Sequence, residues 1–290
     1  MRADPAPPLG SPTLLTYRYL RLGVVGLTVL LGVSVGLQVA DDGAVLGSVS
    51  AYYYTPVRSI FVGTLVASGL ALIVIQGRAR RAEDVLLNLA GLLTPVIAVV
   101  PTPIPACSDR RSCVPASYVD GVDNNVQALL AVAVLSLLVI GWGLRRRALG
   151  DPPTRWGLGG AVVIIGGLGG LYLLDRAAFL TTAHYLAAVP FFLLMVAVAG
   201  LNAIESSRRM GTARVSVSYR SAYAAVAVAM LVTVTGAGLM AVVLVLTDPG
   251  GTGALGGPGP WLLVVEVVLL ALFTAFWALQ TQEFWTEVRA

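Results

Sequence analysis

Eight stretches of this chain run for about the width of a membrane with almost no charge, and no other property of the sequence limits its fold as much. They lie near residues 22–39, 59–75, 85–100, 126–144, 158–174, 182–201, 222–246 and 261–279. Roughly 20 apolar residues cross a hydrocarbon core as an α-helix, and a helix satisfies its own backbone polar groups there. Composition excludes the water-soluble alternative. Only 12% of the 290 residues are charged, against roughly 25% in ordinary soluble domains. The expected fold is all-α: a polytopic transmembrane helical bundle of eight helices over residues 21–280. A proline-rich N-terminal tail (1–20), expected to be disordered, and a C-terminal tail (281–290) flank it.

Arginine placement orients the bundle. All nineteen basic residues are arginine. Arg2, Arg18 and Arg21 precede the first span; Arg78, Arg80 and Arg81 follow the second. Arg145, Arg146, Arg147 and Arg155 follow the fourth, Arg208, Arg209, Arg214 and Arg220 the sixth, and Arg289 the last. Those fifteen share one side, whereas the alternate loops hold four, Arg58, Arg110, Arg111 and Arg176. The asymmetry places both termini in the cytoplasm of a bacterial plasma membrane. It also supports the span count, because removing one helix destroys the alternation. Basic charge distributed over helix ends argues against a nucleic-acid partner; membrane lipids are the expected partners, with a protein partner open. The first span follows Arg18 and Arg21 as a signal peptide would. Its apolar run is too long, however, and Gln38 sits badly before Ala40, so an uncleaved helix is expected.

Aromatic and small residues fit this frame. Trp142, Trp156, Trp277 and Trp285 fall near cytoplasmic ends, and Tyr52, Tyr53, Tyr54 and Trp261 near outer ends, as an interfacial belt would. Small residues recur every four positions at Thr28, Gly32 and Gly36, at Gly63, Ala67 and Ala71, and at Gly166 and Gly170. These read as ridges that let helices approach closely inside the bundle.

Few residues carry chemistry. Cys107 and Cys113, the only cysteines, share an outward loop and are expected to form a local disulfide. A metal site would need more ligands than a chain with one histidine offers, and no C-x-x-C spacing points to redox work. The segment 48–63 (SVSAYYYTPVRSIFVG) leads into the second span from outside. Its tyrosines and Arg58 suit either an interfacial belt with a snorkelling arginine or a polar rim around a headgroup or small solute. His184, in the first turn of the sixth span, suits a hydrogen-bonded structural role or a functional one. A triad of Ser48 or Ser50 with His184 and an aspartate lacks the G-x-S-x-G elbow. Glu266 is the one ionisable residue well inside a span, and such residues face the bundle interior and have a partner. It shares a helical stripe with Phe273 and Trp277. Arg58, Asp123, Asn124, His184 and Glu266 all lie at outer helix ends, which makes one outward polar pocket the natural expectation. Tyr52, Tyr53 and Tyr54 are expected at its rim. Arg58 is the expected partner of Glu266, because guanidinium stays charged and binds carboxylates bidentately. No catalytic residue, metal or cofactor is expected.

The 48–63 segment, RAEDVLLNLAG leading into the third span, HYLAAVPFF in the sixth and EVVLLALFTAFWALQTQEFW in the eighth resemble bacterial multipass membrane proteins of unknown function. These in turn are similar to the damage-regulated autophagy modulator (DRAM-like) membrane proteins. The resemblance covers most of the chain and implies a multipass bundle without an established enzymatic activity. The ceramidase and adiponectin-receptor class of membrane hydrolases builds a zinc site from several histidines, and this chain has only His184, so a zinc hydrolase is not expected. Three readings remain: a non-enzymatic membrane protein whose outer pocket takes a lipid headgroup, small ligand or partner protein; a small-solute or proton-coupled transporter using Glu266 and His184; and a metal-independent lipid-modifying enzyme. Orientation is directly testable. Reporter fusions after Arg81, Arg147, Arg209 and Ala290 should report cytoplasm, and fusions near Gly43, Ser117 and Gly253 the outside. A C-terminal reporter active outside would refute the even span count.

Overall fold

A computed structural model of the chain describes residues 12–75, 81–104, 113–146, 152–208, 216–247 and 260–286. Eight α-helices lie in these segments: α1 (Pro12–Asp42), α2 (Arg58–Val74), α3 (Arg81–Val99), α4 (Ala116–Arg146), α5 (Pro152–Leu174), α6 (Arg176–Arg208), α7 (Ser216–Thr247) and α8 (Trp261–Thr286). Seven are long and apolar enough to cross a membrane, and the chain is a multipass integral membrane protein. The exception, α2, has 17 residues and is about 25 Å long at 1.5 Å per residue, short of a full hydrocarbon core. A 3-10 turn, Ser50–Tyr54, precedes it.

Several boundaries differ from the expected ones because amphipathic ends continue the helices beyond their apolar runs. Helix α1 begins at Pro12, so 12–20 belong to it rather than to a tail; proline is tolerated at a first helical turn. Helix α4 begins at Ala116 and carries Asp123 and Asn124 within its opening turns, and α8 continues to Thr286. Helix α1 stops at Gly43, whose φ of +63° admits the left-handed cap and whose N–H donates to Val39 O at 3.0 Å. The Gly/Pro-rich stretch 248–259 lies outside the described residues. So does Cys107, and with it the expected disulfide; Cys113 carries no free thiol and exchanges two 3.0 Å backbone hydrogen bonds with Ile104.

Helix order is not sequential. Six helices close a ring in the order α1, α2, α3, α6, α7, α8, with α8 returning to α1. Helices α4 and α5 pack together outside the ring, both against α3, and α5 also against α6. Among the described glycines, the closest backbone approach joins α2 to α3. A Cβ on Gly91 would meet Gly69 O at 2.7 Å, and one on Gly69 would meet Gly91 O at 2.9 Å, so only glycine fits at either place. The expected ridges do not do this work. A Cβ at Gly32, Gly36, Gly63, Gly166 or Gly170 would meet nothing within 4 Å. Four-residue spacing puts residues on one face without saying which face, and Gly32 and Gly36 share theirs with exposed Val29, Val33 and Leu37. The aromatic belt is corrected in the same way. Trp142 and Trp156 are exposed, but Trp277, Tyr52 and Tyr53 are wholly buried inside the bundle.

At the end carrying both termini, four ring helices meet through buried polar side chains. Arg21 of α1 (1% exposed) donates through Nε to Gln280 Oε1 of α8 at 2.9 Å. Gln280 Nε2 donates to Glu83 Oε1 of α3 at 3.2 Å and to Asn202 Oδ1 of α6 at 3.3 Å. Asn202 Nδ2 donates to the same Glu83 oxygen at 2.8 Å, and Glu83 is 0% exposed. Beside them, buried Tyr223 of α7 donates its hydroxyl to Glu283 of α8 at 2.7 Å. Glu83→Leu would remove the acceptor shared by both amides, and each stranded donor costs about 1–3 kcal/mol. Thermal unfolding in detergent should show a large loss for Glu83→Leu and a smaller one for Glu83→Gln, which keeps an acceptor oxygen.

Candidate functional site

The segment joining α1 to α2 folds inward over the opposite end of the ring. Its backbone is anchored to the start of α8, where the first N–H groups of a helix have no intrahelical acceptor. Leu263 N–H donates to Gly47 O at 2.8 Å. In return Glu266, one turn further along α8, accepts the N–H groups of Val49 (2.5 Å) and Ser50 (3.3 Å) on Oε2. Ser50 Oγ lies 3.4 Å from Oε1. Ser48 Oγ accepts Ala51 N–H at 3.0 Å and so opens the 3-10 turn. The Ser50 hydroxyl also hydrogen-bonds Thr102, in the segment after α3. Turn, α8 and the end of α3 thus form one connected roof.

Beneath this roof lies a cavity of about 240 Å³ inside the ring. All six ring helices line it, and α4 and α5 do not. The wall is apolar, built from Leu31, Phe61, Ile97, Phe191, Phe192, Leu269 and Phe273 among others; Thr28, Thr64, Ser68 and Thr94 are its hydroxyl residues lower down. Thr28, Thr64 and Thr94 turn their hydroxyl groups back onto helix carbonyls, which hides their polarity. Polar atoms gather at the roof, where Ser50, His184, Tyr185 and Glu266 border the same space.

His184 is held by the backbone. Its Nδ1 lies 2.7 Å from Val100 O, a carbonyl at the end of α3 that no helical N–H can reach. A carbonyl only accepts, so Nδ1 carries the proton in this contact. The residue is 3% exposed.

The expected pocket residues separate into three groups. Glu266 and His184 meet at the cavity. Arg58 does not join them: its NH2 group donates to the Tyr53 hydroxyl at 2.8 Å, and its guanidinium lies 4.5 Å from the Tyr53 ring centroid and 5.4 Å from that of Tyr118. The expected Arg58–Glu266 pair is therefore absent. Arg58 instead stacks in an aromatic cage, where cation–π attraction is strengthened by desolvation. The tyrosines are not a rim. Tyr52 and Tyr53 pack with Leu31, Val49, Val57 and Phe61, and the Tyr54 hydroxyl donates to Thr102 O at 3.0 Å. Burial, reinforced by Tyr53 and Tyr118, pushes the Tyr54 phenol above its ordinary value and keeps it a donor. Asp123 is elsewhere again: Arg176 binds both its oxygens, and Tyr172 donates to Oδ1 at 3.2 Å, tying α4, α5 and α6 together outside the ring. Asn124 is exposed. Thr102 and Tyr185 are site residues that sequence reasoning did not assign, and Ser50 entered it only within the polar-rim segment and the triad with His184.

Comparison with protein-family models, curated proteins and solved structures gives no match for this chain.

Because Arg58 and Glu266 have separate partners, their substitutions should add. Glu266→Leu should lower stability by about 1–3 kcal/mol for each backbone donor it strands. Combining it with Arg58→Ala should show coupling below about 0.5 kcal/mol. A thermal-unfolding cycle on the four proteins checks this, and strong coupling would restore the ion pair.

Proposed function

We propose that this multipass protein binds an amphiphile inside its six-helix ring, with the apolar part in the cavity and the polar part under the roof. One observation carries this reading: the cavity is apolar along its length and polar at one end, where Glu266 is fixed by main-chain donors. Ligand sites characteristically combine an apolar wall with a few placed polar groups. A cavity of about 150 Å³ lined by apolar side chains already holds a benzene, so about 240 Å³ accommodates a substantial hydrocarbon segment. The arginine asymmetry supports an outward-facing roof in a bacterial plasma membrane with both termini inside.

The reading is tested by filling the cavity. Ala188→Trp and Ala237→Trp place an indole in it from α6 and α7 respectively. Wild-type protein extracted in mild detergent should carry a bound amphiphile by native mass spectrometry, and both variants should lose it while remaining folded. Wild-type protein that is empty after mild extraction, and that gains no thermal stability from added membrane lipid extract, would overturn the proposal. Bound ligand adds stability in proportion to the logarithm of its concentration over its Kd, so the second measurement is sensitive even to a weak site.

A further inference from the structure

Among the polar groups beneath the roof, Glu266 is the one with acceptor capacity to spare. Glu266 Oε2 is used by Val49 and Ser50 N–H, whereas among the described residues the hydrogen bond on Oε1 is the long one from the Ser50 hydroxyl, at 3.4 Å. A carboxylate offers about four lone-pair sites, so capacity remains on Oε1. His184 borders the same cavity, its Nδ1 donating to Val100 O. The two are joined structurally, since the segment after α3 holds His184 through Val100 and Ser50 through Thr102. No cation is placed on Glu266 among the described residues, and Arg58 is committed to Tyr53 and Tyr118. An ionised carboxylate inside a membrane bundle ordinarily pairs with a cation.

We propose that the site selects a long-chain ammonium amphiphile, whose charged nitrogen binds Glu266 Oε1 while its hydrocarbon chain fills the cavity. An ammonium has a positive charge, three donors and no acceptor, the complement of a carboxylate. A phosphate or carboxylate headgroup would bring a like charge against Glu266 and acceptors against acceptors. A neutral alcohol can donate once, without charge assistance. This inference rests on the amphiphile reading and adds the chemistry of the head.

Delipidated protein in detergent is titrated with dodecylamine, dodecanol, dodecanoate and propylamine, with thermal unfolding as the readout and the Ala188→Trp variant as the control for detergent effects. Dodecylamine should bind at least about tenfold more tightly than dodecanoate, a ratio expected where one ligand gains a charge-assisted hydrogen bond and the other a repulsion. Dodecanol should lie between them, and propylamine should be weak. Glu266→Gln, which keeps an oxygen for the roof donors, should bring the amine close to the alcohol. Dodecanoate binding as well as dodecylamine would overturn the head assignment while leaving the cavity reading intact. Propylamine binding as well as dodecylamine would overturn the amphiphile and point to a small-cation site. No binding by any of the four, in wild type as in Ala188→Trp, would remove the cavity reading itself.

Discussion

Charge cannot stand alone in hydrocarbon, and the buried polar cluster at the terminal end of this bundle is built around that constraint. Glu83 and Arg21 are almost wholly buried, in an environment where each unsatisfied polar group is expensive. Their partners come from different helices: Asn202 from α6 and Gln280 from α8. Apolar helices packed in lipid gain little preference for one neighbour over another, since lipid tails are as apolar as leucine. A directed polar cluster supplies that preference. It brings α1, α3, α6 and α8 to one point, and α2 and α7 complete the ring through the Gly69–Gly91 contact and the Tyr223–Glu283 bond.

The ring in turn makes the cavity possible. The six ring helices line apolar space above the polar knot, and the inward-folded turn lies over that space at the other end. The roof is bonded through its main chain to the start of α8, where free N–H groups and a carboxylate are both available. Helices α4 and α5 contribute no lining. Their Asp123–Arg176–Tyr172 contacts brace α6 from outside, apart from both the roof and the terminal knot.

Much of the fold was legible in the sequence. Hydropathy located all eight helices, because apolar length is a local property. Phe273 and Trp277 share with Glu266 an inward stripe, because helical periodicity is local too. What depended on helix order was not legible. Arg58, Asp123 and His184 lie at similar depth, yet a ring that places α3 beside α6 and expels α4 sends them to different neighbours. Arg21 and Glu83 fall just outside the expected spans, and Arg21 counts with the cytoplasmic-side arginines; nothing short of the packing distinguishes a snorkelling arginine from one sealed against Gln280. The tyrosine run misled for the same reason. Its density was visible, but its inward fold depends on anchors more than two hundred positions away in the chain.

Helix α8 carries the roof anchor at Glu266 and the knot at Gln280, fourteen residues apart. That separation is about 21 Å along the axis and close to four whole turns, so both side chains leave the helix in nearly the same direction. A rod pinned at two distant points on one face can neither spin nor slide without breaking both pins. Helix α8 is therefore the fixed wall of the chamber. The covering turn and the flanking helices are set against this fixed wall, and α8 holds its register between the two pins.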